Sequence, residues 1–362
     1  MQRWQEMFQT LTDEGLTHIV EHKYVAGAYT PLDNLLNPWW YFLANLLPRW
    51  LAPNLITCSG LVPLAVVYAL HWLYCPFLLE PLPSWLYFAG AISLFVYQTL
   101  DAVDGKQARR IGASSPLGQL MDHGCDCLCS LSHHSQVMVV LLPGPSLLPM
   151  LVMTSLMTGF YLAQWEEYFT GVLNTSAGPF GVTELQKTVM ALLLLAGSLG
   201  GDALEELMTH EAFPGSGVRV NHILMLLWFI FVGVMCALSI VRTWRRASER
   251  GQLQEAAGML LPVVLVSAVA LSWSRTAWLT SYRSVLYATG VEFVFITCKL
   301  IVVSMAKQSF PVSQWCWSVL RLLLAVGLSH TLAGAALEWT LCLFNALVSC
   351  IFGGWAVQTV AQ

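Results

Sequence analysis

The chain has 362 residues, of which 56% are hydrophobic and only 10% charged, with a formal net charge of −4. So little polar surface cannot solvate a globule of that size, and the solvent around most of the chain is therefore lipid. The slightly acidic balance also excludes nucleic acid as a partner, because that partnership needs a clustered basic footprint.

Residues 1 to 52 come first and alternate charges such as Arg3, Glu6 and Lys23 with Trp4, Trp39, Trp40, Tyr41 and Trp50, broken by Pro31, Pro38 and Pro48. That mixture suits short helices riding in the headgroup layer. The first thirty residues lack a short apolar core with a small-residue cleavage site, so the first transmembrane helix is expected to target the chain.

A spanning helix needs about 20 mainly apolar residues. Segments of that kind lie near 54–75, 84–103, 117–142, 147–170, 183–200, 220–242, 255–274, 284–305, 312–334 and 338–358. The expectation is an all-α polytopic integral membrane protein with about ten transmembrane helices behind an N-terminal interfacial amphipathic segment. The last two spans, only a few residues apart around Ala335, fit either a hairpin or a broken span. No repeat period and no soluble domain stand out. The 10 cysteines are scattered through apolar stretches and read as small buried hydrophobes.

Basic residues set the orientation. Arg49 precedes the first span, Lys106, Arg109 and Arg110 follow the second, and Arg242, Arg245, Arg246 and Arg250 follow the sixth. All fall on one side, which the positive-inside rule makes cytosolic. Arg275 and Arg283 fall on the other side and weaken the rule.

The chemistry concentrates between residues 101 and 126, where four aspartates interrupt a charge-poor chain. Asp101 and Asp104 are three apart at the end of the second span, and Asp122 and Asp126 four apart at the start of the third. Each pair therefore shares a helix face, and two facing helices would converge four carboxylates. Such crowding at the edge of lipid calls for compensating cations. Hard oxygen ligands suit Mg²⁺, Mn²⁺ or Ca²⁺, and two such ions about 3.5–4 Å apart form a clamp for in-line phosphoryl displacement. Solvated helix-end acids are the plain alternative.

Gly105, Ala108, Gly112 and Gly118 remove side chains where a nucleotide or phosphate could approach the backbone, or simply allow close helix packing. Arg109 fits a diphosphate fork or a positive-inside anchor. His123, with an ordinary pKa near 6.5, could serve as a general base or be a hydrogen-bonded structural residue. Glu184, opening the fifth span, stands where an acid stabilises its own helix dipole. Glu292 and Lys299 read as a structural pair along one face. His133 and His134 read as hydrogen-bonded interior residues, and Gln164, Glu166 and Glu167 as a polar helix end near the headgroups.

Asp104-Gly105-x-x-Ala108-Arg109-x8-Gly118-x-x-x-Asp122-x-x-x-Asp126 resembles the full signature of the CDP-alcohol phosphotransferase family, with no departure at a fixed position. Asp122-His-Gly-Cys-Asp126, Ala52-Pro-Asn-Leu-Ile-Thr57 and Val182-Thr-Glu-Leu-Gln186 are similar to the eukaryotic choline and ethanolamine branch. The resemblance implies a metal site at Asp101, Asp104, Asp122 and Asp126, with two Mg²⁺ ions or alternatively Mn²⁺. It places a nucleotide between Gly105, Ala108 and Gly118, with Asn54 near its diphosphate or cytidine, and implies His123 as the base that takes the acceptor proton, with Asp126 its rival, and Glu184 as a residue that could orient the alcohol or hold its ammonium head. It further implies CDP-choline or CDP-ethanolamine as donor, diacylglycerol as acceptor, a homodimer, and residence in endoplasmic reticulum or Golgi membranes with the site facing the cytosol. On this basis residues 1–52 are the interfacial segment, 53–200 the catalytic helices, and 201–362 additional transmembrane helices for lipid access or a dimer interface. The nearest rival is a CDP-diacylglycerol-dependent phosphatidyltransferase with inositol or serine as acceptor. A carboxylate-relay transporter is a more distant one, since it would need acids near the midplane and usually repeat symmetry.

Overall fold

A computed structural model describes residues 11–273 and 282–361; Arg3, Trp4, Glu6, Arg275 and the last residue of the seventh expected span lie outside the described residues. Two short helices precede the bundle. In α1 (Asp13–Glu21), the Thr12 hydroxyl accepts from the Gly15 amide at 3.1 Å. In α2 (Pro31–Leu46), Thr30 and Asp33 form a reciprocal capping box, with bonds of 3.1 and 2.9 Å. Trp39, Tyr41 and Phe42 on α2 remain exposed, while Trp40 and Ala44 are buried. One apolar side therefore docks on the bundle and the other stays free for the membrane interface.

The bundle then runs through α3 (Pro53–Tyr74), α4 (Ser84–Ile111), α5 (Pro116–Leu141) and α6 (Leu147–Thr170). A two-residue hairpin, β1 (Ser176–Ala177) with β2 (Phe180–Gly181), leads into α7 (Val182–Leu199). The rest comprises α8 (Gly201–Thr209), α9 (Val220–Glu249), α10 (Leu253–Gly258), α11 (Leu261–Trp273), α12 (Tyr282–Met305), α13 (Cys316–Thr331) and α14 (Gly334–Ala361). The protein is an all-α polytopic membrane protein. Among the described residues, 8 helices are long and apolar enough to cross a bilayer, taking Leu253–Trp273 as one.

The remaining two expected spans are α5 and α13, and each departs from the simple criterion for a physical reason. Helix α5 carries Asp122, His123, Asp126, His133 and His134, yet nearly all of its second half is buried by protein. Lipid does not touch that surface, so it need not be apolar. Helix α13 is apolar but has only 16 residues. Leu332 and Ala333 are non-helical and separate it from α14. Burial ranks the layers: 89% of the apolar window of α12 is enclosed, against 22% for α9 and for α14. Helices α5 and α12 form the interior, and α9 and α14 lie at the periphery.

Buried charges are matched within this frame. Glu292 is bonded by Arg321 of α13 through both carboxylate oxygens, at 2.5 and 2.6 Å. Lys299, the partner expected from the sequence, instead donates to the Gln314 carbonyl at 2.8 Å. Arg283, read in the sequence as a loop charge, is buried: Nε donates to the Cys75 carbonyl at 2.6 Å and Nη1 to Ser135 Oγ at 3.0 Å. It therefore carries no topological signal. His134 Nε2 donates to the Pro149 carbonyl at 2.9 Å.

Candidate active site

The cluster forms where α3 begins, α4 ends and α5 begins, which the alternating course of the chain brings to one end of the bundle. Helix α4 stops at Gly112, whose φ of 70° is open to glycine at little cost, and the Ala113 amide closes the end by donating to the Ala108 carbonyl at 2.9 Å. Helix α5 restarts at Ser115, whose hydroxyl accepts from the Gly118 amide at 3.1 Å. These two caps fix the loop between the aspartate pairs.

Three of the four aspartates converge. Carboxylate oxygens of Asp101, Asp122 and Asp126 lie within 4.8 Å of one another. Asp101 Oδ1 is buried with no hydrogen-bond partner, and Asp126 Oδ1 accepts from the Tyr97 hydroxyl at 2.8 Å. An oxygen-only donor set with an unsatisfied buried oxygen fits a hard divalent cation, and the cluster could hold one. Asp104 departs from the expected convergence of four. It is buried beside the cluster and accepts a hydrogen bond from the Thr57 hydroxyl of α3. A step of three residues along a helix turns a side chain about 60° away from its predecessor, and here that offset is enough to aim Asp104 at α3.

The glycine positions border the same corner. A Cβ built at Gly118 would stand 3.8 Å from Asn54 Oδ1, so the start of α3 faces the start of α5 across a narrow gap. A Cβ at Gly105 would meet Arg109 Nη1 at 3.5 Å, so the exposed Arg109 folds back over the glycine. Arg110 does something different: its guanidinium donates to the carbonyls of Ala44, Asn45 and Leu47 at 2.7–3.2 Å, tying α4 to the end of α2. Gln107 adds bonds to Pro48 and Leu51.

His123 is buried and its Nδ1 has no partner. The Tyr24 ring packs edge-on against it at 5.3 Å between centroids. Burial, then the nearby Asp122, Glu167 and Asp126 carboxylates, hold the Tyr24 phenol well above its ordinary pKa, so it stays protonated. Glu184 is not in the carboxylate cluster. One of its oxygens accepts from the Gly181 amide at 2.8 Å, capping α7, and the other is buried without a partner. Cys125, Cys127 and Cys129 are free and buried in the core, as expected.

Sequence reasoning passed over Thr57 as a partner for Asp104, Tyr97 as a partner for Asp126, and the segment from His22 to Gly27. That segment lies across the site: His22 Nε2 meets Gln119 Oε1 at 2.7 Å, and Gly27 pairs with Leu173 through an amide-to-carbonyl bond of 2.8 Å. A polar residue one turn from a catalytic candidate, such as Gln119 before His123, was the one signal available in the sequence.

Fold and cluster together define a class, a polytopic membrane protein with an acidic site fit for a divalent cation. Comparison with known proteins narrows it. Residues 50–207 match the family model described as CDP-alcohol phosphatidyltransferase. Cholinephosphotransferase 1 of Xenopus laevis is 34% identical over 84% of this chain and 77% of its own length. Cholinephosphotransferase 1 of Gallus gallus is 36% identical over 64% of this chain and 65% of its own length. An uncharacterized CDP-alcohol phosphatidyltransferase class-I family protein of Dictyostelium discoideum is 34% identical over 81% of this chain and 70% of its own length. The chain belongs to the CDP-alcohol phosphatidyltransferase family and is a transferase of phospholipid biosynthesis.

Proposed function

We propose that this protein transfers phosphocholine or phosphoethanolamine from CDP-choline or CDP-ethanolamine to diacylglycerol, releasing CMP and forming phosphatidylcholine or phosphatidylethanolamine. The observation that carries this reading is the convergence of Asp101, Asp122 and Asp126 beside Asn54 and Gly118, in a chain related to cholinephosphotransferases. In this reading those three acids, with Asp104 alongside, hold two Mg²⁺ ions, or Mn²⁺ in their place. Bound there, the metal would neutralise the diphosphate and the charge that develops on the leaving oxygen.

The chain's own groups supply the rest. Asn54, Gly105, Ala108, Arg109 and Gly118 would receive the nucleotide, with Arg109 able to fold over a phosphate. The diacylglycerol oxygen attacks the phosphorus that carries the amino alcohol, the bond from that phosphorus to the CMP oxygen breaks, and CMP leaves in line. His123 takes the hydroxyl proton; its Nδ1 has no competing partner, whereas Asp126 already accepts from Tyr97. Residues 53–200 would form the catalytic helices, and residues 201–362 a lipid-access wall or dimer interface around them. Residues 1–52 would lie on the cytosolic face of endoplasmic reticulum or Golgi membranes.

A donor panel tests the assignment. Purified protein in diacylglycerol micelles with Mg²⁺ should release CMP from CDP-choline or CDP-ethanolamine. Silence with both, together with turnover of CDP-diacylglycerol and soluble inositol or serine, would reassign it to the phosphatidyltransferase branch.

A further inference from the structure

Adjacent acids at the end of α6 differ sharply. Glu166 is neutralised by Arg242, whose Nε and Nη2 reach its two oxygens at 2.5 and 2.8 Å. Glu167 is 6% exposed, and its carboxylate accepts from the neutral Gln119 amide at 2.9 Å. Burying a carboxylate without a cation is costly.

The neighbourhood of Glu167 is ordered. Gln119 is bonded to Glu167 through its amide nitrogen and to His22 through its amide oxygen, so a continuous chain His22, Gln119, Glu167 runs beside His123. Just past α6, Leu173 exchanges backbone bonds with the N-terminal segment, from its amide to the Val25 carbonyl at 3.1 Å and from the Gly27 amide to its own carbonyl at 2.8 Å. These contacts hold Tyr24 from both sides. Its ring leans on His123 at an interplanar angle of 71° while remaining 46% exposed, so part of the aromatic surface is open to the mouth of the site.

We propose that Tyr24 and Glu167 form the subsite for the cationic end of the donor, an ammonium group two carbons removed from the reacting phosphate. The assignment rests on the donor being a CDP-amino alcohol. An exposed aromatic surface attracts an alkylated ammonium, and a dry carboxylate supplies the countercharge it needs. Tyr24 packs on His123 and Glu167 is joined to Gln119, one helical turn before His123, so both lie near where the phosphorus must sit for the proton to be taken. Glu184, the ammonium candidate read from the sequence, already caps α7 with one oxygen.

The test compares binding of CDP-glycerol, CDP-choline and CDP-ethanolamine to the full chain by titration calorimetry, with Mg²⁺ and without diacylglycerol, so that no turnover occurs. CDP-glycerol carries the same esterified diphosphate without the cation and reports the nucleotide and diphosphate contacts alone. Glu167→Gln should erase most of the preference for both CDP-amino alcohols over CDP-glycerol, by roughly tenfold or more, and affect the primary ammonium of CDP-ethanolamine harder because it donates hydrogen bonds. Tyr24→Ala should lower CDP-choline affinity about threefold to thirtyfold while Tyr24→Phe, which keeps the ring, restores it. CDP-glycerol affinity should be retained in all three variants, which establishes that they are folded. A preference for CDP-amino alcohols that survives in both Glu167→Gln and Tyr24→Ala would overturn the subsite alone. A wild-type protein that prefers neither CDP-amino alcohol over CDP-glycerol would overturn the proposed donor and the subsite with it.

Discussion

The side chains of the candidate site are organised by partners the eye passes over in the sequence. Tyr97 bonds Asp126, and Thr57 bonds Asp104. Such outer bonds orient carboxylates toward a cation, and their loss typically costs about 10- to 100-fold in metal affinity or activity. Tyr97→Phe and Thr57→Val should therefore shift the Mg²⁺ dependence of CMP release to higher concentration. His123→Ala should lower kcat by about 10²- to 10⁴-fold with little change in donor KM, the signature of a lost proton acceptor. Unchanged kcat would move the base to Asp126. The aspartates were legible from spacing alone, because three- and four-residue steps share a helix face. The diversion of Asp104 to Thr57 was not, because periodicity says which face a residue occupies and nothing about what the neighbouring helix offers there. Tyr24 and Gln119 lie far apart in sequence and meet at His123 only through the course of the chain.

Helices are positioned by a small number of buried polar contacts set in apolar surroundings. Glu292 and Arg321 join α12 to α13 with two short bonds, the carboxylate fully enclosed. Removing one partner leaves an uncompensated charge, so Arg321→Met should destabilise the protein by about 3–5 kcal/mol in thermal unfolding. Glu292→Met in the same chain should return most of that loss, since an apolar pair removes both charges. Spans α3, α4, α6, α7, α9 and α14 were visible as long apolar runs. Helix α5 forms over the expected stretch, but its buried polar face keeps it outside the hydropathy criterion that the eight candidate spans meet. What the sequence could not disclose was pairing across helices: Lys299, seven residues from Glu292, was the nearer candidate along the chain, yet Arg321 on a different helix reaches it.

At the scale of the whole molecule, the antiparallel course of the spans collects every candidate site residue at one end, together with the basic ends of α4 and α9. The cytosolic placement we propose makes a definite topological forecast. Thiols introduced by Ser115→Cys and Arg245→Cys in a cysteine-poor background should react with an impermeant reagent from the same side, and Ser216→Cys from the opposite side. Helix α14 exposes Trp339, Leu343, Leu347 and Val357. Lipid or a second copy would cover them, and crosslinking in native membranes that recovers only monomer would remove the proposed homodimer.

In the function we propose, Asp101, Asp122 and Asp126 hold the divalent cation on which transfer depends. That role is tested most directly by stripping the purified enzyme with chelator and titrating Mg²⁺ back while following CMP release, for the wild type and for Asp101→Asn, Asp122→Asn and Asp126→Asn. We expect wild-type activity to vanish on chelation and return with Mg²⁺, and each variant to stay at least about a hundredfold lower at saturating Mg²⁺. Undiminished turnover in chelator, or full activity in the three variants, would contradict the account.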